Sequence, residues 1–280
     1  MERILIVDGS NLLFQMFYGM PARIVNDRGK AIQGTLGFVG ALLKIIRRTK
    51  PTHIAVVFDG EHENERSAFD PDYKANRVDY SKVTEEENPF SQLADIYAAL
   101  DYLNIRHAET TDCEADDVVA GYVHTYGNSA EIAISSLDSD FFQLITDKVS
   151  VLRYRGDKTV ILTTEHITEK FGITPAQYAD FKSLVGDAAD NIKGADKVGP
   201  KTAASLLNEF GTLENILANA EKIKKPSVRQ SIANSTKRLK RNYKLIRLYG
   251  SAHLPFALNE LTYAYNGITT TEVLRGIGLK

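Results

Sequence analysis

The sequence predicts an α/β protein: a mostly parallel central sheet with helices on both faces, followed by a helical region. Three observations carry this expectation. Short β-rich apolar runs alternate with helical patterns through the first half of the chain, three of those runs close on an aspartate, and from about residue 165 onward the pattern is helical only.

Taken in order, RILIV (3–7) reads as a strand, a helical pattern follows near 34–48, and HIAVVF (53–58) reads as the next strand. Residues 60–92 are polar, tyrosine-bearing and poor in core residues, so they are expected as a long loop or loose helices standing off the sheet. Helical patterns return near 89–103 and from about 113, where Thr111-x-x-Glu114 has the form of a capping box. EIAIS (131–135) is a strand, a helix is expected to start near 140, and VSVLRYRGDKTVILTT reads as a hairpin with Arg155-Gly156-Asp157-Lys158 at its turn. The expected division is 1–165 for the α/β core and 166–280 for the helical region.

With 280 residues, 43% hydrophobic and 25% charged, the chain has room for one large domain or two unequal ones. No apolar run approaches the roughly 20 residues of a membrane span, and MERILIVDGSN enters a strand at once, so the expectation is a cytoplasmic protein without membrane contact, and a monomer. Its one cysteine, Cys113, cannot form an internal disulfide and reads as a small packing residue. Charge is distributed unevenly. Residues 193–250 hold 13 Lys and Arg against 4 Asp and Glu, a net of +9 on a chain whose total is -2. Such a stretch is either a solvated face or a surface for a phosphate backbone.

The strand-like runs end RILIV-Asp8, AVVF-Asp59 and IAISSL-Asp138. In open α/β sheets ligands bind outside the carboxyl ends of the strands, so these aspartates are expected in one crevice. Glu114, Asp116 and Asp117 enter it from a helix start, Asp140 lies two residues past Asp138, and Asp187 and Asp190 arrive in GDAADN. Each feature alone has an ordinary explanation: carboxylates suit a helix N-terminus, and an aspartate after a strand is a common turn residue. Together they need cations, because two unit charges about 5 Å apart repel by roughly 3 kcal/mol at an effective dielectric near 20. Oxygen-only donors favour Mg²⁺ or Mn²⁺ over zinc, and this many carboxylates suit two ions, an arrangement that serves phosphodiester hydrolysis.

With those residues assembled, the chain resembles the bacterial and phage 5′-nuclease family, the flap endonucleases and 5′→3′ exonucleases that include the nuclease domain of DNA polymerase I. The motifs are VDGSNLLF, FDGEHENERSAFDPDYKANR, EADD, DSDFFQL and GDAADNIKGADKVGPKTAASLLNEFG, and the similarity runs over about residues 3–250. The resemblance implies a PIN-like fold with a helical arch at about 60–92 and a helix-hairpin-helix region, acting on DNA with 5′ flaps, ends or junctions in replication and repair. It implies that Asp8, Asp59, Glu114 and Asp116 hold one metal and that Asp138, Asp140, Asp187 and Asp190 hold or tune the second, with Asp117 matching as well. Lys74 and Arg77 match positions at the base of the arch, where a cation reaches the scissile phosphate and stabilises transition-state charge. Tyr73 beside them has a face for stacking on an unpaired base, and Arg66 also matches. Lys193, Gly194, Lys197, Gly199, Lys201 and Thr202 belong to the hairpin, whose following helix offers free N–H groups to phosphate. Farther on, TKRLKRNYKLIRLY is expected to turn Leu239, Tyr243, Ile246 and Tyr249 to one helical side.

The chain departs from the family at several points. Gln15 stands seven residues after Asp8 where an Arg is usual, Leu137 replaces a Gly, and Lys193, Asp196 and Lys197 replace Pro and Gly in the hairpin, leaving open the K⁺ site often found there. Glu85-Glu86-Glu87 is acidic in an element expected to meet DNA. At 280 residues the chain is expected to act without a polymerase. Two other readings stay open at this point: a junction-binding protein with disabled chemistry, and an RNA nuclease of related fold.

Overall fold

The computed structural model describes residues 2–60 and 65–280. Its sheet is built around β1 (Arg3–Asp8), parallel to β2 (His53–Phe58) on one side, with β3 (Arg106–Glu109) parallel beyond β2. On the other side of β1 lie β4 (Glu131–Ser135) and β5 (Val149–Arg153), also parallel, and an antiparallel edge strand β6 (Val160–Leu162). The chain fills one side outward from β1 and then crosses to the other. The crevice between the carboxyl ends of β1 and β4 is therefore the place where a doubly wound sheet opens to a ligand.

Both faces of the central strands are apolar because both are covered. Ile4 and Ile6 point into one core cluster and Leu5 and Val7 into another, all at 1% exposure or less. Each such side chain contributes roughly 1.5 to 3 kcal/mol on burial. The Leu5 face is covered by α1 (Gly9–Gly19), α2 (Gln33–Thr49) and, after the short α3 (Glu65–Phe69), by α4 (Leu93–Tyr102). The Ile4 face is covered by α5 (Ala115–Tyr126) and shares its core with the helical region: α6 (Thr164–Phe171), α7 (Tyr178–Val185), α8 (Pro200–Phe210), α9 (Leu213–Ala218) and α10 (Pro226–Ile246). The tail returns to the first half. Tyr263 donates to Thr52 O at 2.8 Å, and α11 (Thr270–Gly276) buries Val273 and Leu274. Residues 251–280, silent in the sequence, thus strap the helical region to the sheet.

Several expectations need correction. The strand β3 is too short and polar (RHAE) to register as one, yet it pairs as an edge with β2. Helix α1 follows from Asp8, whose carboxylate caps it by accepting from Asn11 N. The helix expected near 140 is a single tight turn, Asp140–Leu144. The cap of α5 is Glu114 rather than Thr111, with Asp117 closing the capping box. The described part of 60–92 does not stand off the sheet: Tyr73 is buried with Ala179, Ile192, Leu245 and Ile246, and Tyr80 and Phe90 pack edge-on against Phe14 of α1. The helical region also contains a two-residue antiparallel pair, β7 (Gly186–Asp187) with β8 (Ile192–Lys193). Helix α10 ends at Ile246, leaving Tyr249 at 58% exposure.

Candidate active site

The register of β1 against β2 and β4 brings Asp8, Asp59 and the loop Ser136–Asp138 to one edge of the sheet. A chain of hydrogen bonds fixes them. Asp8 accepts from Asn11 N at 2.9 Å and from Ser136 Oγ at 2.8 Å, Ser136 Oγ accepts from Asp138 N at 3.0 Å, and Asp138 Oδ1 accepts from Asp140 N at 2.9 Å. Asp59 Oδ1 accepts from Ala115 N at 2.9 Å, which ties the first turn of α5 to the end of β2. Asp116 completes this group. Burial, and then Asp138, Asp8 and Asp59, push its carboxyl well above the ordinary range. Asp8 is driven up to about 7, by burial first and by Asp59 next. Among the described residues, no lysine or arginine forms an ion pair with Asp8, Asp59, Asp116 or Asp138.

A second group lies beside the first. Asp140, Asp187 and Asp190 each offer an oxygen within 4.8 Å of the others. The turn between β7 and β8 presents Asp187 and Asp190, and it exists because glycine permits a close crossing. Gly186 has φ +90°, and a Cβ on Gly194 would fall 2.3 Å from Val185 C. Lys182 Nζ bridges Asp140 Oδ1 and Asp187 Oδ2. Burial raises Asp140 to about 6 against the pull of Lys182, whereas at Asp187 the ammonium and its hydrogen bonds outweigh burial and the carboxyl falls below its ordinary value.

The third part is the base of the segment expected as an arch. Glu114 accepts from Lys74 Nζ at 2.7 Å, Arg66 Nη1 at 3.1 Å and Tyr73 Oη at 3.1 Å, so its carboxyl is lowered although burial opposes that. Arg66 also grips both oxygens of Asp117, at 2.6 and 2.7 Å, and Arg77 reaches Asp190 at 2.8 Å.

All nine carboxylates expected here therefore stand around one crevice, but in different company. Asp117, expected among the metal ligands, has both oxygens engaged by Arg66, a fork-to-fork pair that a metal would have to break. Tyr73, expected to offer a stacking face, is 8% exposed and hydrogen-bonded to Glu114. Arg66, expected to touch DNA, is turned inward to Glu114, Asp117 and Leu245 O. Gly194 is buried at the crossing of two backbones, where a Cβ would not fit. Lys193, Lys197, Gly199 and Lys201 are exposed and Thr202 half-buried around the start of α8, whose N-cap Gly199 leaves the first N–H groups without a side-chain partner. Lys197 takes φ +62°, the left-handed region that favours glycine, so the replacement there keeps the backbone path at a cost of about 1 kcal/mol.

The other departures are also accommodated. Leu137 avoids positive φ, donating to Asn11 Oδ1 and accepting from Arg153 Nη2. Gln15 donates to Tyr154 O at 2.6 Å, tying α1 to the end of β5. Glu86 pairs with Arg23 at 2.8 Å. Sequence reasoning missed Lys182, Ser136 and the buried Gln143, which donates to both Asp140 O and Ile246 O and so anchors the Asp140 turn to the end of α10. The one available signal was a lysine five residues ahead of Asp187 inside an otherwise apolar helix face.

Beside the acids runs a basic groove of about 440 Å³. It begins at Phe142, two residues past Asp140, and is lined by Arg153, Arg155, Lys158, His166 and Lys170 without an acidic residue. Lys170 also borders a second groove of about 500 Å³ that reaches Lys201 on α8. A larger cavity, of about 560 Å³, opens at the opposite, amino-terminal end of β1 and β4, where charges of both signs mix.

The donor set fits hard divalent ions. Every donor is an oxygen, the central acids are held close only at the expense of raised pKa values, and the second group already seats a cation, the Lys182 ammonium, between two carboxylates. Residues 3–172 match the model of the 5′-3′ exonuclease N-terminal resolvase-like domain, and 173–267 match that of the 5′-3′ exonuclease C-terminal SAM fold. The chain belongs to the 5′-3′ exonuclease family. A 5′-3′ exonuclease of Aquifex aeolicus is 30% identical over 93% of this chain and 86% of its own length. DNA polymerase I of Thermus thermophilus is 35% identical over 88% of this chain, which spans only 28% of that relative. Among solved structures, a phage T5 protein co-crystallised with metal ions is 25% identical with a TM-score of 0.72, covering 88% of this chain and 90% of the other. The catalytic core of Rad2 in complex with DNA substrate, at 15% identity and a TM-score of 0.60 over 99% and 86% of the two chains, shares the fold. Among the described residues no helix is long and apolar enough to cross a membrane.

Proposed function

We propose that this chain hydrolyses DNA phosphodiesters at 5′ flaps and 5′ ends by a mechanism that uses two divalent ions, Mg²⁺ or Mn²⁺. The observation that carries this reading is the gathering of Asp8, Asp59, Asp116 and Asp138, without an ion-pair partner among the described residues, directly beside a second carboxylate group. Asp8, Asp59 and Asp116 would hold one ion, with Glu114 behind them; Asp140, Asp187 and Asp190 would hold the other, and Asp138 lies between. Bound there, such ions supply Lewis acidity and neutralise charge growing on the attacking and leaving oxygens.

The chain's own residues do the rest. Arg77 stands at the rim with its side chain 56% exposed and Lys74 lies deeper, against Tyr73; paired with Asp190 and Glu114, their stems can exchange those carboxylates for the scissile phosphate once metal has taken up the acids. The basic groove and the exposed lysines at the start of α8 suit a phosphate backbone, read by charge and shape rather than by base edges. That DNA rather than RNA supplies this backbone is supported by the family's relatives, whose names include DNA polymerase I.

The test is a labelled 5′-flap with the double variant Asp187→Ala, Asp190→Ala. Cleavage in Mg²⁺ is expected to be abolished while flap binding in Ca²⁺ stays within a few-fold of wild type. Undiminished cleavage would overturn the two-ion assignment, matched RNA flaps cut equally well would overturn the DNA preference, and wild-type protein that binds but forms no product at any Mn²⁺ concentration would leave a junction-binding protein.

A further inference from the structure

We infer that Lys182 is the resident cation of the second metal position, and that its ammonium competes with the incoming ion, giving this chain a built-in threshold for filling that position. The inference rests on the two-ion reading proposed above and names the residue that would set its metal requirement.

The geometry is specific. Lys182 is 7% exposed on α7, and its Nζ touches Asp140 Oδ1 and Asp187 Oδ2, two of the three carboxylates whose oxygens lie within 4.8 Å of each other. An ion held by those carboxylates would lie within a few Å of the ammonium and compete with it for the same negative charge. The third, Asp190, is approached from the solvent side by Arg77, whose side chain is 56% exposed and able to swing away. Lys182 has less freedom. Its neighbours Phe181, Ser183 and Leu184 are buried, Ser183 Oγ is tied to Ala179 O, and α7 is wedged among α8, α9 and α10. The backbone cannot withdraw, so only the four-carbon stem can swing.

Two consequences follow from like-charge repulsion at a few Å in a partly buried site. Without metal the ammonium holds Asp140 and Asp187 together and offsets their repulsion. With metal it must share those carboxylates with a second cation or swing away from them, so the second position binds more weakly than the same three acids would without a lysine. The group of Asp8, Asp59 and Asp116 has no ion pair among the described residues to displace and is filled first. Ordered filling is thereby written into one side chain.

The experiment is a Mn²⁺ titration of the full chain without DNA, followed by calorimetry and by the electron paramagnetic resonance of free Mn²⁺, for wild type, Lys182→Met and Lys182→Gln. Wild type is expected to show a tighter and a weaker site. Both variants should tighten the weaker one by about tenfold or more and leave the tighter one unchanged, with circular dichroism reporting the fold. Glutamine, which hydrogen-bonds to carboxylates without charge, serves where methionine leaves the acids too poorly held to fold. A weaker site that is unchanged or weakened further in a folded variant overturns the inference and leaves the two-ion reading standing. A single site in wild type overturns both.

Discussion

Two halves of one acidic crevice solve the same problem in opposite ways. Around Glu114, Asp117, Asp187 and Asp190 the protein supplies its own cations, Lys74, Arg66, Lys182 and Arg77, and the Glu114 and Asp187 carboxyls fall below their ordinary range despite burial. Around Asp8 and Asp116 the described residues supply no ion pair, and burial with mutual repulsion pushes both upward. The difference separates acids that already hold a cation of the protein's own, which an incoming ion must displace, from acids with no ion pair among the described residues. A paired carboxylate positions a backbone, here the start of α5 or the turn after α7, whereas an unpaired cluster is stable only when something outside the chain neutralises it.

Three measurements break or sharpen that contrast. The largest effect is expected from exchanging single acids in the two halves. Asp116→Asn should abolish flap cleavage yet raise the melting temperature in EDTA, because it removes a repelling charge. Glu114→Gln should lower the metal-free stability by about 2 to 4 kcal/mol, because Lys74 and Arg66 lose a buried partner. Calorimetry in EDTA checks both signs, and equal signs would erase the distinction.

The second is pH. Asp8 is raised to about 7 in the fold, so between about pH 4, where the unfolded carboxyl titrates, and 7 the folded state holds a proton that the unfolded state has lost. Stability from this group is therefore full below that window and falls as pH rises through it, with Asp140 adding the same trend up to about 6. The gain in melting temperature on adding Mg²⁺ should be small at pH 5 and clearly larger at pH 8; a gain independent of pH would refute the crowding. The smallest effect is at the rim. Arg155→Ala with Lys158→Ala should raise KM several-fold with little change in kcat, and should flatten the salt dependence of flap binding by about one unit of slope for each phosphate no longer neutralised.

Legibility in the sequence followed the kind of force involved. Strands β1, β2 and β4 were readable because both their faces are buried and their apolar runs are unbroken, and the aspartates closing them were placed by sheet topology alone. The strand RHAE was not readable, since an edge strand borrows its conformation from the pairing with β2. The internal roles of Tyr73 and Arg66 were equally hidden. Their chemistry suits DNA as well as it suits Glu114, and only the docking of residues 65–77 against α10 and the acids turns them inward.

By itself the sequence determined the alternating α/β order, the carboxylates at the strand ends and the family to which they point, because periodicity and residue chemistry are local properties. Which acids receive a cation of the protein's own, and which have none among the described residues, was decided by tertiary structure. Lys182 and Asp140 are 42 residues apart, and Arg66 and Asp117 are 51. No local pattern encodes pairs at such separations; they arise when packed helices carry side chains of opposite charge into a region too dry to leave either one alone.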